Sequence, residues 1–271
     1  MHDFFRWQWN RLLKPKPEHR ADLVSWQAVN LNQIHSTQGR SATWLGHASV
    51  LIKSDGIHVL TDPIFSERAS PVSWLGPKRI KPLPVDPANL PRIDAVVISH
   101  NHYDHLDLPS LKRLNSQAGG PPLFVVPLGN AELLKRQGIS NVKALDWWQR
   151  IPVKDGLSVT LVPTQHWSKR NLLGDRNEAL WGGYVIQHRK WQAFFAGDTG
   201  YSKDFADIHA RMGDMHFAMI PIGAYAPRDF MRRQHIDPAE AVLIHQDVRS
   251  RLSLGIHWAT FILTDEALQQ P

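Results

Sequence analysis

Six consecutive residues, His100-Asn101-His102-Tyr103-Asp104-His105, place three imidazoles and a carboxylate within one short stretch. Imidazole nitrogen and carboxylate oxygen are the donors that borderline cations such as Zn²⁺ select. The apolar run Ala95-Val96-Val97-Ile98-Ser99 comes directly before the cluster, so a strand should deliver it to a loop. Alternation along an extended segment would send His100, His102 and Asp104 one way and leave His105 to address a second centre. This arrangement suits two metals sharing one cleft.

Further donors follow the same local rule. His166 comes after Val159-Thr160-Leu161-Val162-Pro163-Thr164-Gln165, Asp198 after Phe194-Phe195-Ala196-Gly197, and His257 after Leu252-Ser253-Leu254-Gly255-Ile256. Each lies just past an apolar β-like run, where α/β folds place their chemistry. Gly197 and Gly200 bracket Asp198-Thr199, as a tight backbone turn beside a metal would need. Together with the cluster these residues complete two sites of plausible ligand number. The chain has no Cys, so a thiolate site and a disulfide framework are both excluded.

The elements that must position these donors are short. Residues 1–40 read as a helical or irregular lead-in, and residues 41–271 as a single domain. Thr43–Lys53 and Gly56–Thr61 flank the hairpin signal Ser54-Asp55-Gly56. The proline-rich stretch 63–92 should be a long ordered loop. Strands are expected at Ala95–Ser99, Leu123–Val126, Val142–Leu145, Leu157–Val162, Gly183–His188, Gln192–Ala196, Phe217–Ile222 and Leu252–Ile256. Helices are expected from Leu108-Pro109-Ser110 onward, over Asn130–Gln137 and over Asp237–Gln246. Strands first and then strand-helix alternation, occurring twice, predict an α/β fold of two packed β-sheets with helices outside.

Composition narrows the partners. The 271 residues are 42% hydrophobic and 21% charged, which describes a globular chain large enough to bury a core. The formal charge of +6 favours anionic partners, but basic residues are scattered and form no long arm, so nucleic acid is not expected. No apolar run approaches the roughly 20 residues that span a bilayer, and the N-terminus lacks the apolar core of a signal peptide. The expected location is cytoplasmic, with peripheral contact at the inner membrane face. At the N-terminus Phe5, Trp9, Leu12 and Leu13 fall at i, i+4, i+7 and i+8, with Arg6, Arg11 and Lys14 elsewhere on the same helix. Such a helix either packs on the domain or lies in a lipid interface.

The pattern His100-x-His102-x-Asp104-His105 followed by His166, Asp198 and His257 resembles the signature of the metallo-β-lactamase superfamily. More specifically, it resembles N-acylphosphatidylethanolamine-hydrolysing phospholipase D and its bacterial relatives. The shared stretches run in order from about residue 41 to 265. They include Thr43-Trp44-Leu45-Gly46-His47-Ala48, Leu60-Thr61-Asp62-Pro63-Ile64-Phe65-Ser66, Leu145-Asp146-Trp147-Trp148, Gln165-His166-Trp167, Ala196-Gly197-Asp198-Thr199-Gly200-Tyr201, Ile220-Pro221-Ile222-Gly223-Ala224-Tyr225, Gln234-His235-x-Asp237-Pro238 and Ile256-His257-Trp258.

The resemblance implies an αββα sandwich and two Zn²⁺ ions, other divalent metals being alternatives. His100, His102 and His166 would hold one ion, and Asp104, His105 and His257 the other, with Asp198 bridging. Asp62 would orient a ligand histidine. Tyr103, Gln234 and His235 match positions that face the substrate head group, and Asp104, Asp198 and His235 are the expected catalytic residues. The implied reaction is hydrolysis of an N-acylphosphatidylethanolamine-like phospholipid to phosphatidic acid and N-acylethanolamine, by in-line attack of a hydroxide generated between two metals. A lipid surface and a second copy in a homodimer are the expected partners. Another metal-dependent hydrolase acting on a lactone, a cyclic phosphodiester or another phosphate ester is the rival on the same scaffold. A non-catalytic metal-binding, membrane-docking module is the rival of another class. Two departures stand out: relatives continue beyond the position of Pro271, and the lead-in before Ser41 has no clear counterpart.

Overall fold

The protein is described from a computed structural model over residues 17–36, 38–171 and 174–271. The amphipathic stretch Phe5 to Lys14 lies outside these residues. The lead-in contributes a 3₁₀ turn, Ala21–Leu23, and a short helix α1, Leu31–His35, capped by the Asn30 side chain and anchored by buried Ile34.

Among the described residues twelve strands form two six-stranded sheets. The first contains β1 (Arg40–Gly46), β2 (Ser49–Ser54), β3 (Ile57–Thr61), β4 (Ala95–Val97), β5 (Leu123–Pro127) and β6 (Val142–Leu145), in that order. The second contains β7 (Arg150–Lys154), β8 (Leu157–Val162), β9 (Gly183–His188), β10 (Trp191–Phe195), β11 (Phe217–Pro221) and β12 (Ser253–Ile256), also in sequence order. The expected run Thr43–Lys53 is therefore two strands. It breaks at Gly46-His47, where both residues adopt positive φ and the chain reverses.

Pairing direction decides where the chemistry collects. In the first sheet β1, β3 and β4 run the same way, because β2 is antiparallel to both β1 and β3, and β4 is parallel to β3. In the second, β8, β10 and β12 share a direction by the same logic, with β9 returning between β8 and β10. The loops that follow these six strands carry His47, Asp62, His100 to His105, His166, Asp198 and His257, so the donors of both sheets meet at one edge of the sandwich.

The layers follow from strand alternation. Val50, Val59, Val97 and Val125 of one sheet face Leu157, Val159, Ile186 and Phe195 of the other in a buried apolar interior. On the outer face of the first sheet, Leu60, Val96 and Phe124 pack on Leu111 and Leu114 of α2 (Leu108–Asn115) and Leu134 of α3 (Ala131–Lys135). On the outer face of the second, Phe194, Ala218 and Ile220 pack on Phe205 and Ile208 of α4 (Asp204–Met212) and, beyond the short α5 (Arg228–Met231), on Ala241 and Ile244 of α6 (Pro238–Asp247). This is an αββα sandwich.

Helix starts are locally encoded. Asp107 caps α2 through Ser110 N, and Asp237 forms a capping box with Glu240 at α6, each with proline in the first turn. Tyr184 of β9 is fully buried between the sheets and donates its hydroxyl to Ile98 O at 3.0 Å and Val125 O at 3.3 Å. That bond ties the second sheet to the backbone just before the histidine cluster.

Candidate metal centre

Each donor is carried past a strand end by backbone that leaves regular structure. The stretch after β4 does not stay extended. His105 N and Leu106 N both bond back to His102 O, at 3.2 and 2.9 Å, so residues 102–106 close a turn. Strand alternation therefore does not apply there: Asp104 joins His105 rather than His100 and His102. The loop after β10 turns at Gly197, whose φ is +62°. A Cβ at that position would stand 2.5 Å from Ser99 Cβ, so only glycine lets the Asp198 loop approach the His100 loop this closely.

Two donor groups result. In one, His100 Nε2 lies 2.8 Å from His102 Nδ1, which lies 3.4 Å from His166 Nε2. In the other, Asp104 Oδ2 lies 3.3 Å from His105 Nε2 and 3.4 Å from His257 Nε2. Asp198 stands between them. Its Oδ2 is 3.2 Å from His105 Nε2, 3.8 Å from His166 Nε2 and 3.9 Å from His100 Nε2, and its Oδ1 is 3.1 Å from His257 Nε2. The seven expected ligands thus converge.

Hydrogen bonds behind the donors fix their orientation. His105 Nδ1 donates to Asp62 Oδ2 at 2.6 Å, and His166 Nδ1 to Gln234 O at 2.9 Å. His100 Nδ1 donates to Ser99 Oγ at 2.9 Å, and that hydroxyl in turn donates to Asp62. In these three rings the remaining nitrogen, Nε2, faces the centre, as ligating histidines require, whereas His102 turns its Nδ1 toward His100 and His166.

Electrostatics divides the two groups. Burial holds His100 and His166 well below the usual imidazole range and His102 at about 4, so these rings are neutral and ready to coordinate. Burial opposes charge in the second group too, but Asp198 and Asp104 outweigh it there. They hold the His105 proton well above the ordinary value and that of His257 at about 9. Asp104 and Asp198 themselves stay ionised despite burial, with His105 the leading favourable influence on each. His105 Nε2 and His257 Nε2 are only 3.2 Å apart and both face two carboxylates. Among the described residues four donor sets of this kind, including His47 with Asp104, His105 and His257, bring their ligand atoms within 4.8 Å of one another. Imidazole nitrogens turned toward one another around a buried carboxylate fit divalent cations, which would replace the protons of the second group.

The structure adds His47, a donor absent from the sequence expectation. Its Nε2 is 3.0 Å from Asp104 Oδ2, and its backbone accepts from His257 N at 2.9 Å and donates to Thr260 Oγ1 at 2.6 Å. Burial and the field of His257 press its pKa to about 3. Reading Thr43–Lys53 as one strand hid it, because the Gly46-His47 reversal is what aims the ring at Asp104.

The expected substrate residues are distributed unevenly. His235 Nδ1 lies 3.8 Å from Asp198 Oδ2, buried and with no hydrogen-bond partner. Gln234 enters through its carbonyl on His166. Tyr103 donates its hydroxyl to Arg170 O at 3.0 Å, and the Arg170 guanidinium lies 4.0 Å from its ring.

Fold and donor sets together define a metal-dependent hydrolase of the metallo-β-lactamase fold, and the chain belongs to that superfamily: residues 58–258 match its Beta-lactamase superfamily domain. At the level of particular relatives, the chain is 42% identical over 243 residues to N-acyl-phosphatidylethanolamine-hydrolyzing phospholipase D 1 of Caenorhabditis elegans, a match covering 86% of this chain and 67% of that one. It is 38% identical over 235 residues to the mitochondrial N-acyl-phosphatidylethanolamine-hydrolyzing phospholipase D of Saccharomyces cerevisiae, covering 84% of this chain and 49% of the yeast protein. The matched region thus spans only half to two thirds of these relatives. Among solved structures, the metallo hydrolase Igni18 of Ignicoccus hospitalis superposes with a TM-score of 0.59 at 20% identity, over 81% of this chain and 82% of that one, a likeness of fold.

Proposed function

We propose that the centre is a phosphodiesterase of phospholipase D type. It would act on N-acylphosphatidylethanolamine-like lipids to give phosphatidic acid and N-acylethanolamine. The observation that carries this reading is His235, a partly exposed imidazole outside the seven-ligand set whose buried, unpaired Nδ1 sits 3.8 Å from the central Asp198. The 42% identity to a named enzyme of that activity supports the choice of substrate.

His100, His102 and His166 would hold one zinc and Asp104, His105 and His257 the other, with Asp198 shared and His47 supporting Asp104. When bound, the cations supply Lewis acidity and lower the pKa of water at the centre. The chain's own residues do the rest. Asp62 and the Gln234 carbonyl keep the ring tautomers fixed. Burial holds His235 at about 4, so near neutral pH it is an uncharged imidazole with a proton on one nitrogen. Its N–H can donate a hydrogen bond to a phosphoryl oxygen, and it can hand that proton to the departing alkoxide as its other nitrogen takes one from water. The Tyr103–Arg170 pair would form part of the rim around the head group.

A lipid substrate implies peripheral contact with a membrane, and we include that contact, a cytoplasmic location and a homodimer in the proposal. Among the described residues no helix is long and apolar enough to cross a membrane. The test is release of N-acylethanolamine from N-acylphosphatidylethanolamine in mixed micelles, with bound zinc quantified on the same sample. Turnover lost on chelation and restored by zinc supports the reading. Two bound zinc ions without turnover would discard the substrate and favour a lactone or another phosphate ester.

A further inference from the structure

Beside the metal centre lies a groove of about 650 Å³ that none of the metal ligands lines. Its walls include Leu23, Trp26, Trp44 and Trp258, it carries two cations, Arg79 and Lys81, and none of its side chains is acidic. The Trp44 and Trp258 rings lie parallel to within 5°, their centroids 6.0 Å apart. The groove shares its wall with the centre. Gly46 precedes His47, Trp258 follows His257, and Thr260 takes the His47 N–H on its hydroxyl and the Ile80 N–H on its carbonyl.

Arg79 is the unusual member. Its Nη2 donates to Ile64 O at 2.5 Å and its guanidinium lies 5.0 Å from the Phe261 ring, but its Nε is buried without a partner. Among the described residues it forms no ion pair. Burial lowers its pKa to about 10. Gly46, at φ +105°, makes room for it, since a Cβ there would stand 3.0 Å from Nη1. The carboxylates whose fields reach these cations are engaged elsewhere: Asp107 with Ser66 and Ser110, and Asp22 with Arg20 at 2.7 Å. The field of Asp107 reaches Arg79, but no carboxylate among the described residues touches it. A largely desolvated guanidinium with donors to spare favours a directly bound anion, while the tryptophan walls favour an apolar body beside it.

We propose that this groove binds an anionic amphiphile drawn from a lipid phase, its phosphate or carboxylate on Arg79 and Lys81 and its hydrocarbon against Trp44, Trp258 and Leu23. The inference rests on the phospholipid reading only in taking lipid as the source; it requires no hydrolysis.

The test is calorimetric titration of the zinc-loaded protein with dodecyl phosphate below its micelle concentration, in saturating inorganic phosphate so that free phosphate occupies the metals. Binding should persist in that buffer, and dodecyl maltoside should not replace it. R79M, with unchanged zinc content, should weaken binding about tenfold or more, the worth of a charge-assisted hydrogen bond. R79K and K81M, the latter at a half-buried lysine, should lose less. Equal binding by R79M, equal binding of the maltoside, or abolition by inorganic phosphate would each overturn the proposal. Because no turnover is read, success or failure here is independent of whether the centre cleaves phospholipids.

Discussion

Asp62 Oδ2 takes the Nδ1 proton of His105 at 2.6 Å, both side chains fully excluded from solvent, and the same carboxylate reaches His100 through the Ser99 hydroxyl. One buried aspartate thus orients a donor in each of the two groups. Replacing it with asparagine keeps the shape but removes the charge that fixes both tautomers. Asp62→Asn should lower zinc affinity by about 10- to 100-fold, read by competition with a chromophoric chelator. Unchanged affinity for both ions would remove Asp62 from this role.

His47 and Asp104 make a second, narrower prediction. Because His47 supports only the group of Asp104, His105 and His257, His47→Ala should reduce bound zinc toward one equivalent while the His100, His102 and His166 group stays filled. Elemental analysis of the purified variant decides between one equivalent, two, or none.

The shifted imidazoles set a pH profile for protein stripped of metal. His102 and His235, held at about 4, and His47, held at about 3, refuse protons that the unfolded chain accepts near 6.5. Their contribution is therefore complete above 6.5 and lost as pH falls toward 4. His257, held at about 9, has the opposite sign: its contribution is complete below 6.5 and lost as pH rises through 9. Urea midpoints of the stripped protein should peak near pH 6.5 and fall on both sides. Zinc, by displacing the His257 proton, should flatten the alkaline limb. A monotonic profile would contradict these assignments.

Tyr184→Phe tests the bond between the sheets. Val125 O keeps the Ile98 N–H at 3.0 Å, but the Tyr184 hydroxyl is lost to both carbonyls. The expected cost is about 1 kcal/mol, measured by urea unfolding, with zinc content unchanged. A much larger loss would mean that the hydroxyl positions the histidine loop as well.

Much of the site was legible because each donor directly follows an apolar run. The strands Val142–Leu145, Leu157–Val162 and Gly183–His188 fall where the sequence puts them; the latter two are buried and rich in apolar residues, whereas the first alternates about exposed Lys143. What stayed hidden depends on backbone reversal or on weak local signals. The turn at residues 102–106 is closed by backbone bonds that side-chain alternation cannot reveal. The break at Gly46-His47 is only two residues wide, and apolar residues resume at once with Ala48 and Val50. Strand β7 carries Pro152 and alternates exposed and half-buried residues at a sheet edge, a pattern too mixed to stand out beside its buried neighbours. Helix α4 begins after Lys203 without a side-chain cap, so its start carries no marker.

The shared direction of the donor-bearing strands also has a practical side. The opposite edge is closed by short reversals, among them Asp155-Gly156 and Arg189-Lys190, whose residues are exposed. A strand of six residues spans roughly 20 Å, which separates those turns from the donors by the depth of the sandwich. A fluorophore, an affinity handle or a surface tether introduced there would leave the reactive edge free to face a micelle or vesicle. The molecule can thus be immobilised from behind while its chemistry is watched from the front.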